Sequence, residues 1–189
     1  MKIQFLLSLL IFFGCETKTK NSDPKKLKTE KASQFKIDLE SRKFFIGDVN
    51  NDKVNDTAYV NLKRNIETGE IECGGKNCYI NIEFKNSIPK ISFDQSLGVS
   101  ISKTEDLNND KANEIIIFSR THEGWWNYIS VMSFDGKNWN ELAVTKAFVS
   151  DDEDFENRII KKNGKYFLVG ENQWEEDENG DFKKVIIKI

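Results

Sequence analysis

The chain has 189 residues, with 28 Lys and Arg, 31 Asp and Glu, one His and a formal net charge of −3. That length suits a single domain, and 38% hydrophobic with 31% charged residues and only two Pro excludes collagen, mucin-like stalks and a multi-spanning membrane protein. Fourteen Phe, four Trp and four Tyr can fill a core, while one His and an acidic balance argue against nucleic-acid binding and exclude any catalysis that needs two histidines.

The chain opens MKIQFLLSLLIFFGC. Lys2 precedes an apolar run from Ile3 to Phe13 broken only by Gln4 and Ser8. A bilayer span needs about 20 residues, so this run has the length of a signal-peptide core instead. It ends at Gly14-Cys15 and polar residues follow at once. The segment resembles a bacterial lipobox, with Phe12 where that motif usually has Leu, Val or Ile. The resemblance implies a signal peptide over 1–14, lipid on Cys15, and a place in the cell envelope, on the periplasmic or the surface face of the outer membrane. Acyl chains would hold the protein there at about 0.8 kcal/mol per buried CH₂. The plainer alternative is a secretory signal with a chance cysteine.

Residues 16–34 carry Lys18, Lys20, Lys25, Lys26, Lys28 and Lys31 against Glu16, Asp23 and Glu30, with Leu27 and Ala32 the sole apolar side chains. With no apolar period, 15–34 reads as a lipidated cysteine and a disordered tether. Residues 35–189 then hold a net charge of about −7 and form the folded domain.

That domain alternates with period two. Strands are predicted at 57–62, 78–84, 114–118, 128–134 and 139–144, with Asp135-Gly136 turning the last two into a hairpin. Asn163-Gly164 turns 158–160 into 166–169, and Asn179-Gly180 turns the Trp174 strand into 182–189. No stretch has helical amphipathicity, so the fold is expected to be all-β and antiparallel. Cys73 and Cys78 in ECGGKNCY form an even pair in an exported chain, which predicts a disulfide across the Gly74-Gly75 turn. The alternative, half a metal site, needs further soft ligands, and His122 is the sole candidate.

One motif occurs twice, 58 residues apart: DVNNDKVND from Asp48 and DLNNDKANE from Asp106. Oxygens at positions 1, 3, 5, 7 (a backbone carbonyl) and 9 suit calcium, a hard ion that takes 6–8 oxygen ligands. They are Asp48, Asn50, Asp52, Val54 and Asp56, then Asp106, Asn108, Asp110, Ala112 and Glu114. The alternative is a pair of Asx-rich turns that bond only their own backbone. Asp177-Glu178-Asn179-Gly180-Asp181 starts the same way but has Val185 at position 9, and reads as a hairpin.

The duplicated loop, each copy running into a strand, resembles the calcium loops of FG-GAP and VCBS repeats, as in the integrin α-subunit propeller. The element order from loop through paired cysteines to a Trp-rich strand looks like repeat-bearing lipoproteins of Bacteroidetes-type bacteria. The resemblance implies two units at about 44–101 and 102–150 followed by hairpins. Residues 35–189 hold fewer than three units of 58, whereas propellers have about 4–8 blades. The expected architecture is therefore an incomplete or compact β-propeller-like stack. Position 6, usually Gly with positive φ in that family, is Lys53 and Lys111 here, which implies weak affinity.

Trp125 and Trp126 would point to opposite faces of a strand, one in the core and one available to a partner or glycan; both could equally shield strand edges. The acidic runs 151–154 and 175–178 read as solvated loops able to steer a basic partner. No pair of carboxylates stands out for glycosidase chemistry, and His122 has no identifiable nucleophile. The sequence thus points to a non-enzymatic, calcium-stabilised, lipid-anchored binding protein of the envelope, its ligand a protein or glycan. The competing class is an inhibitor or immunity lipoprotein against an envelope-degrading toxin or hydrolase.

Overall fold

A computed structural model divides the chain into Met1–Gln34 and Phe35–Ile189 and describes residues 37–68, 70–71, 79–94, 96–121, 125–148 and 154–189. The signal, lipidation and tether expectations at 1–34, with Cys15, lie outside the described residues, as do Cys73, Cys78 and His122.

The alternating segments form three antiparallel sheets. Strands β1 (Ile37–Gly47), β2 (Asp56–Asn65), β3 (Tyr79–Phe84) and β4 (Ile91–Asp94) make the first, in chain order. Strands β5 (Ser96–Lys103), β6 (Ile115–Thr121), β7 (Trp126–Phe134) and β8 (Trp139–Phe148) repeat that order in the second. Strands β9 (Ile159–Lys162), β10 (Lys165–Glu176) and β11 (Phe182–Lys188) form the third, with β10 central. Asp135-Gly136, Asn163-Gly164 and Asn179-Gly180 all fall in the turns between paired strands, with φ of 89°, 74° and 83° at the glycines. The fold is all-β, antiparallel and multi-sheet, and the sheets do not close into a propeller ring among the described residues.

The second sheet is the middle layer. Ile115 and Ile117 belong to the core shared with the first sheet, together with Ile46, Val60 and Ile82. Ile116 and Phe118 belong to the other core, with Leu107, Ile129 and Leu168. Strand β6 is buried on both faces, which is why its run Ile115–Phe118 is apolar without alternation. The first sheet's far face carries polar pairs, with Ser41 donating to Asn61 at 2.8 Å and Ser92 to Asn81 at 2.7 Å, beside the exposed Leu39 and Phe45. On the third sheet, Gly170 lies so close to β8 that a Cβ there would sit 1.9 Å from Thr145 Oγ1. That glycine lets the Thr145 side chain of β8 pack directly on the β10 backbone.

The expected Cys73–Cys78 disulfide is corrected. A disulfide needs Cα atoms within about 7 Å and converging Cβ vectors, and none of the three cysteines is near disulfide distance from another. Counting cysteines in an exported chain suggests a pair but does not position their Cβ atoms.

Candidate metal centre

Both copies of the motif occupy the same place, the connection from first to second strand of a four-stranded sheet. Each is anchored by its second residue: Val49 is fully buried and Leu107 nearly so. The N–H of that anchor donates to the carboxylate at position 9, Val49 to Asp56 Oδ2 at 3.1 Å and Leu107 to Glu114 Oε2 at 2.6 Å. An apolar residue at position 2 therefore ties the loop's two ends together.

The first Asp collects backbone N–H groups. Asp48 accepts from Asp52 at 3.0 Å and Lys53 at 2.9 Å. Asp106 accepts from Asn109 at 2.7 Å, Asp110 at 3.2 Å and Lys111 at 3.0 Å. The Asn at position 3 accepts from the N–H at position 5, at 3.0 Å for Asn50 and 2.9 Å for Asn108. The carboxylate at position 5 accepts the N–H of Val54 and of Ala112, both at 2.8 Å. To wrap this tightly the backbone turns left-handed at positions 4 and 6: φ is 58° at Asn51, 72° at Lys53, 67° at Asn109 and 77° at Lys111. The lysines thus adopt the conformation that glycine adopts without strain, at a cost of about 1–2 kcal/mol each.

So far the loops match, and a self-satisfied Asx-rich turn would account for both. They part at position 9. Asp106, Asp110 and Glu114 each offer a carboxylate oxygen, and these lie within 4.8 Å of one another. Asp48, Asp52 and Asp56 form no such group among the described residues. Glu114 is fully buried, and its Oε1 has no hydrogen-bond partner. A buried carboxylate oxygen left unpaired costs several kcal/mol unless a charge or donor meets it. Burial, then repulsion from Asp110 and Asp106, push the Glu114 carboxyl up to about 7, against opposition from the Leu107 N–H and the Ser133 hydroxyl. Asp56 is also raised, chiefly by burial.

Two residues outside the motif's ligand positions hold the second loop in place. Ser133 on β7 accepts from Asn108 Nδ2 at 2.9 Å and donates to Asp110 Oδ2 at 3.3 Å. Its only sequence signal is a buried hydroxyl in the apolar strand YISVMSF. Asn113, at position 8, bonds the first loop through its side chain and its backbone N–H.

The donor set around Glu114 is all oxygen and carries three carboxyl groups. Such a set suits a hard cation of the calcium and magnesium kind, not zinc or copper, which favour nitrogen and sulfur. The orphaned Glu114 Oε1 fits a divalent ion as its missing partner.

The third acidic loop, between β10 and β11, stops short. Asp177 Oδ1 accepts from Asn179 at 2.8 Å and from Asp181 at 3.1 Å. Its Gly180 takes the left-handed turn of position 4, but Phe182 has already entered β11 at position 6. Of the tryptophans, Trp125 is 68% exposed and sits in the turn before β7, while Trp126 begins that strand half-buried. Both meet one ring, Phe148 on β8: Trp125 stacks on it at 6.0 Å and Trp126 meets its edge at 5.5 Å. No protein-family profile, curated protein or solved structure matches this chain.

Proposed function

We propose that this chain is a non-enzymatic binding protein of the cell envelope, held by lipid on Cys15, whose second loop is stabilised by calcium. The carrying observation is Glu114: a fully buried carboxyl with an unpaired Oε1, within 4.8 Å of Asp106 and Asp110 oxygens. Asp106, Asp110 and Glu114 would hold the ion, with Asn108 beside them. The ion would supply charge neutralisation and tie the loop to Glu114, the residue that leads into β6; no chemistry on a substrate is assigned to it. The matching strand order of the first two sheets, each with its loop after the first strand, supports reading them as FG-GAP-like units in an incomplete propeller-like stack.

The test is thermal. An ion that binds only the native state stabilises it by about 2.7 kcal/mol at 100 times its dissociation constant, a shift of several degrees for a domain of this size. Millimolar calcium is expected to raise the melting temperature above that in chelator, and magnesium to raise it less, because magnesium demands tight octahedral geometry. Identical melting curves in calcium and chelator would return both loops to the status of Asx-turns. The anchor is tested separately: Cys15→Ser is expected to shift the protein out of the membrane fraction or leave it unprocessed, and a processed variant still in that fraction would remove the lipid.

A further inference from the structure

Beyond the ion loop, a cleft of about 490 Å³ opens where β8, β10 and β11 meet. Small-ligand sites span about 300–1,000 Å³, so its size admits a ligand of one or two rings. One wall is aromatic: Phe148 and Phe182 line it, their centroids 5.5 Å apart. That wall is held from behind. Trp126 packs edge-on against both rings, at 5.5 Å and 4.6 Å, and the exposed Trp125 stacks on Phe148. Rings fixed this way lose little entropy when a ligand arrives.

The other walls are polar and of both signs. Glu171, nearly buried, accepts from the Phe148 N–H at 2.9 Å and from Lys184 Nζ at 2.6 Å, and Arg158 lies 3.4 Å away. Burial alone would raise this carboxyl; Lys184, the Phe148 N–H and Arg158 outweigh it and hold it below the ordinary value. Glu171 is therefore a carboxylate floor held by Lys184, Arg158 and the Phe148 N–H. Lys184 remains 59% exposed with donors to spare. Opposite stand Asp177, whose Oδ1 is engaged by the loop backbone, and Asp181, whose carboxylate accepts no hydrogen bond among the described residues.

This combination selects a chemistry. An anion would meet Asp177 and Asp181, and a cation would meet Lys183 and Lys184. Hydroxyl groups both donate and accept, so a polyhydroxylated ring can donate to Asp181 and accept from Lys184. The C–H face of such a ring is apolar and lies flat on an aromatic side chain. We infer that the cleft between Phe148, Phe182, Lys184 and Asp181 is a binding site for neutral pyranose saccharides. The inference names a ligand class for the binding-protein reading and rests on that reading, but not on the calcium loop.

The experiment titrates cellobiose, maltose and N,N′-diacetylchitobiose into the full chain, followed by calorimetry and tryptophan fluorescence, in calcium and in chelator. At least one disaccharide is expected to bind and to perturb the Trp125 and Trp126 emission. Asp181→Asn, at an exposed position, is expected to weaken it at least fivefold with an unchanged melting curve, and Phe148→Ala at least tenfold. Absence of binding by all three sugars at millimolar concentration overturns the proposal, as does binding that neither substitution weakens, or capture of a protein partner that uses these residues while no sugar binds. A chain that binds sugar but ignores calcium overturns the ion reading alone.

Discussion

Asn113 and Asp48 exchange a pair of hydrogen bonds across 65 residues of sequence: the Asn113 N–H donates to the Asp48 carbonyl at 2.8 Å, and the Asp48 N–H donates to Asn113 Oδ1 at 3.0 Å. Position 1 of the first loop is thereby clamped to position 8 of the second, and the Asn113 amide also donates to the Thr104 carbonyl at 2.8 Å. The two loops are one hydrogen-bonded structure joining the first two sheets.

Gly47 makes that clamp possible. Its φ is +77°, and a Cβ there would sit 2.5 Å from Asn113 Oδ1. Gly47→Ala combines left-handed strain with a broken clamp and is expected to cost about 2–3 kcal/mol. Asn113→Ala removes two side-chain hydrogen bonds, leaves the Asp48 N–H without its side-chain acceptor, and is expected to cost about 1–3 kcal/mol. Denaturant titration checks both; a loss under about 0.5 kcal/mol, the range of neutral surface substitutions, would show the clamp to be incidental.

The loops are expected to respond unequally to calcium. Asp106→Ala removes a member of the carboxylate group around Glu114 and should abolish most of the thermal shift. Asp48→Ala, in the loop without such a group, should lower the baseline stability but keep most of the shift. Equal losses from the two substitutions would mean that Asp56 completes a site as well as Glu114 does.

Lys111 stands at φ +77° in the same loop. Lys111→Gly relieves left-handed strain of about 1–2 kcal/mol and removes an ammonium from an acidic site. The relieved strain is present without the ion, so its relief is expected to raise the melting temperature in chelator and in calcium alike, whereas the removed charge is expected to raise calcium affinity measured by calorimetry. An unchanged melting temperature would show that the lysine does not strain the loop, and unchanged affinity that it does not repel the ion.

Stability without the ion is expected to fall as pH rises. The folded chain holds the Glu114 proton up to about 7, whereas the unfolded chain loses it near 4.5. Unfolding therefore releases a proton between those values, and the native state weakens across that window by about 3 kcal/mol at about 1.4 kcal/mol per pH unit. The raised Asp56 acts in the same direction. Urea titrations in chelator from pH 4.5 to 7.5 should show the decline, and Glu114→Gln should flatten it. Calcium should flatten it too, by giving the ionised carboxylate its counter-charge.

The strand content was legible from the sequence because it rests on local patterning. Alternation marked β2, β3 and β7, three Xaa-Gly pairs marked hairpin turns, and the unbroken Ile115–Phe118 run marked a strand buried on both faces. Strands β1, β4 and β5 escaped notice: IDLESRKFFIG carries charges along a sheet edge, and neighbours supply the pairing that its own pattern does not announce. The repeated oxygen spacing was equally visible, since both loops wrap by bonds within nine residues. What spacing could not separate was the fate of position 9. Asp56 and Glu114 hold the same place in the motif, yet only the packing of β6 between two sheets, with Ser133 brought across from β7, leaves one buried oxygen unpaired. The Asn113–Asp48 clamp and the Phe148–Asp181 cleft depend likewise on strands far apart in the chain. Local hydrogen bonding and hydrophobic period determine which segments become strands and turns; burial of a polar atom is a property of the assembled layers, and only the tertiary structure decided it.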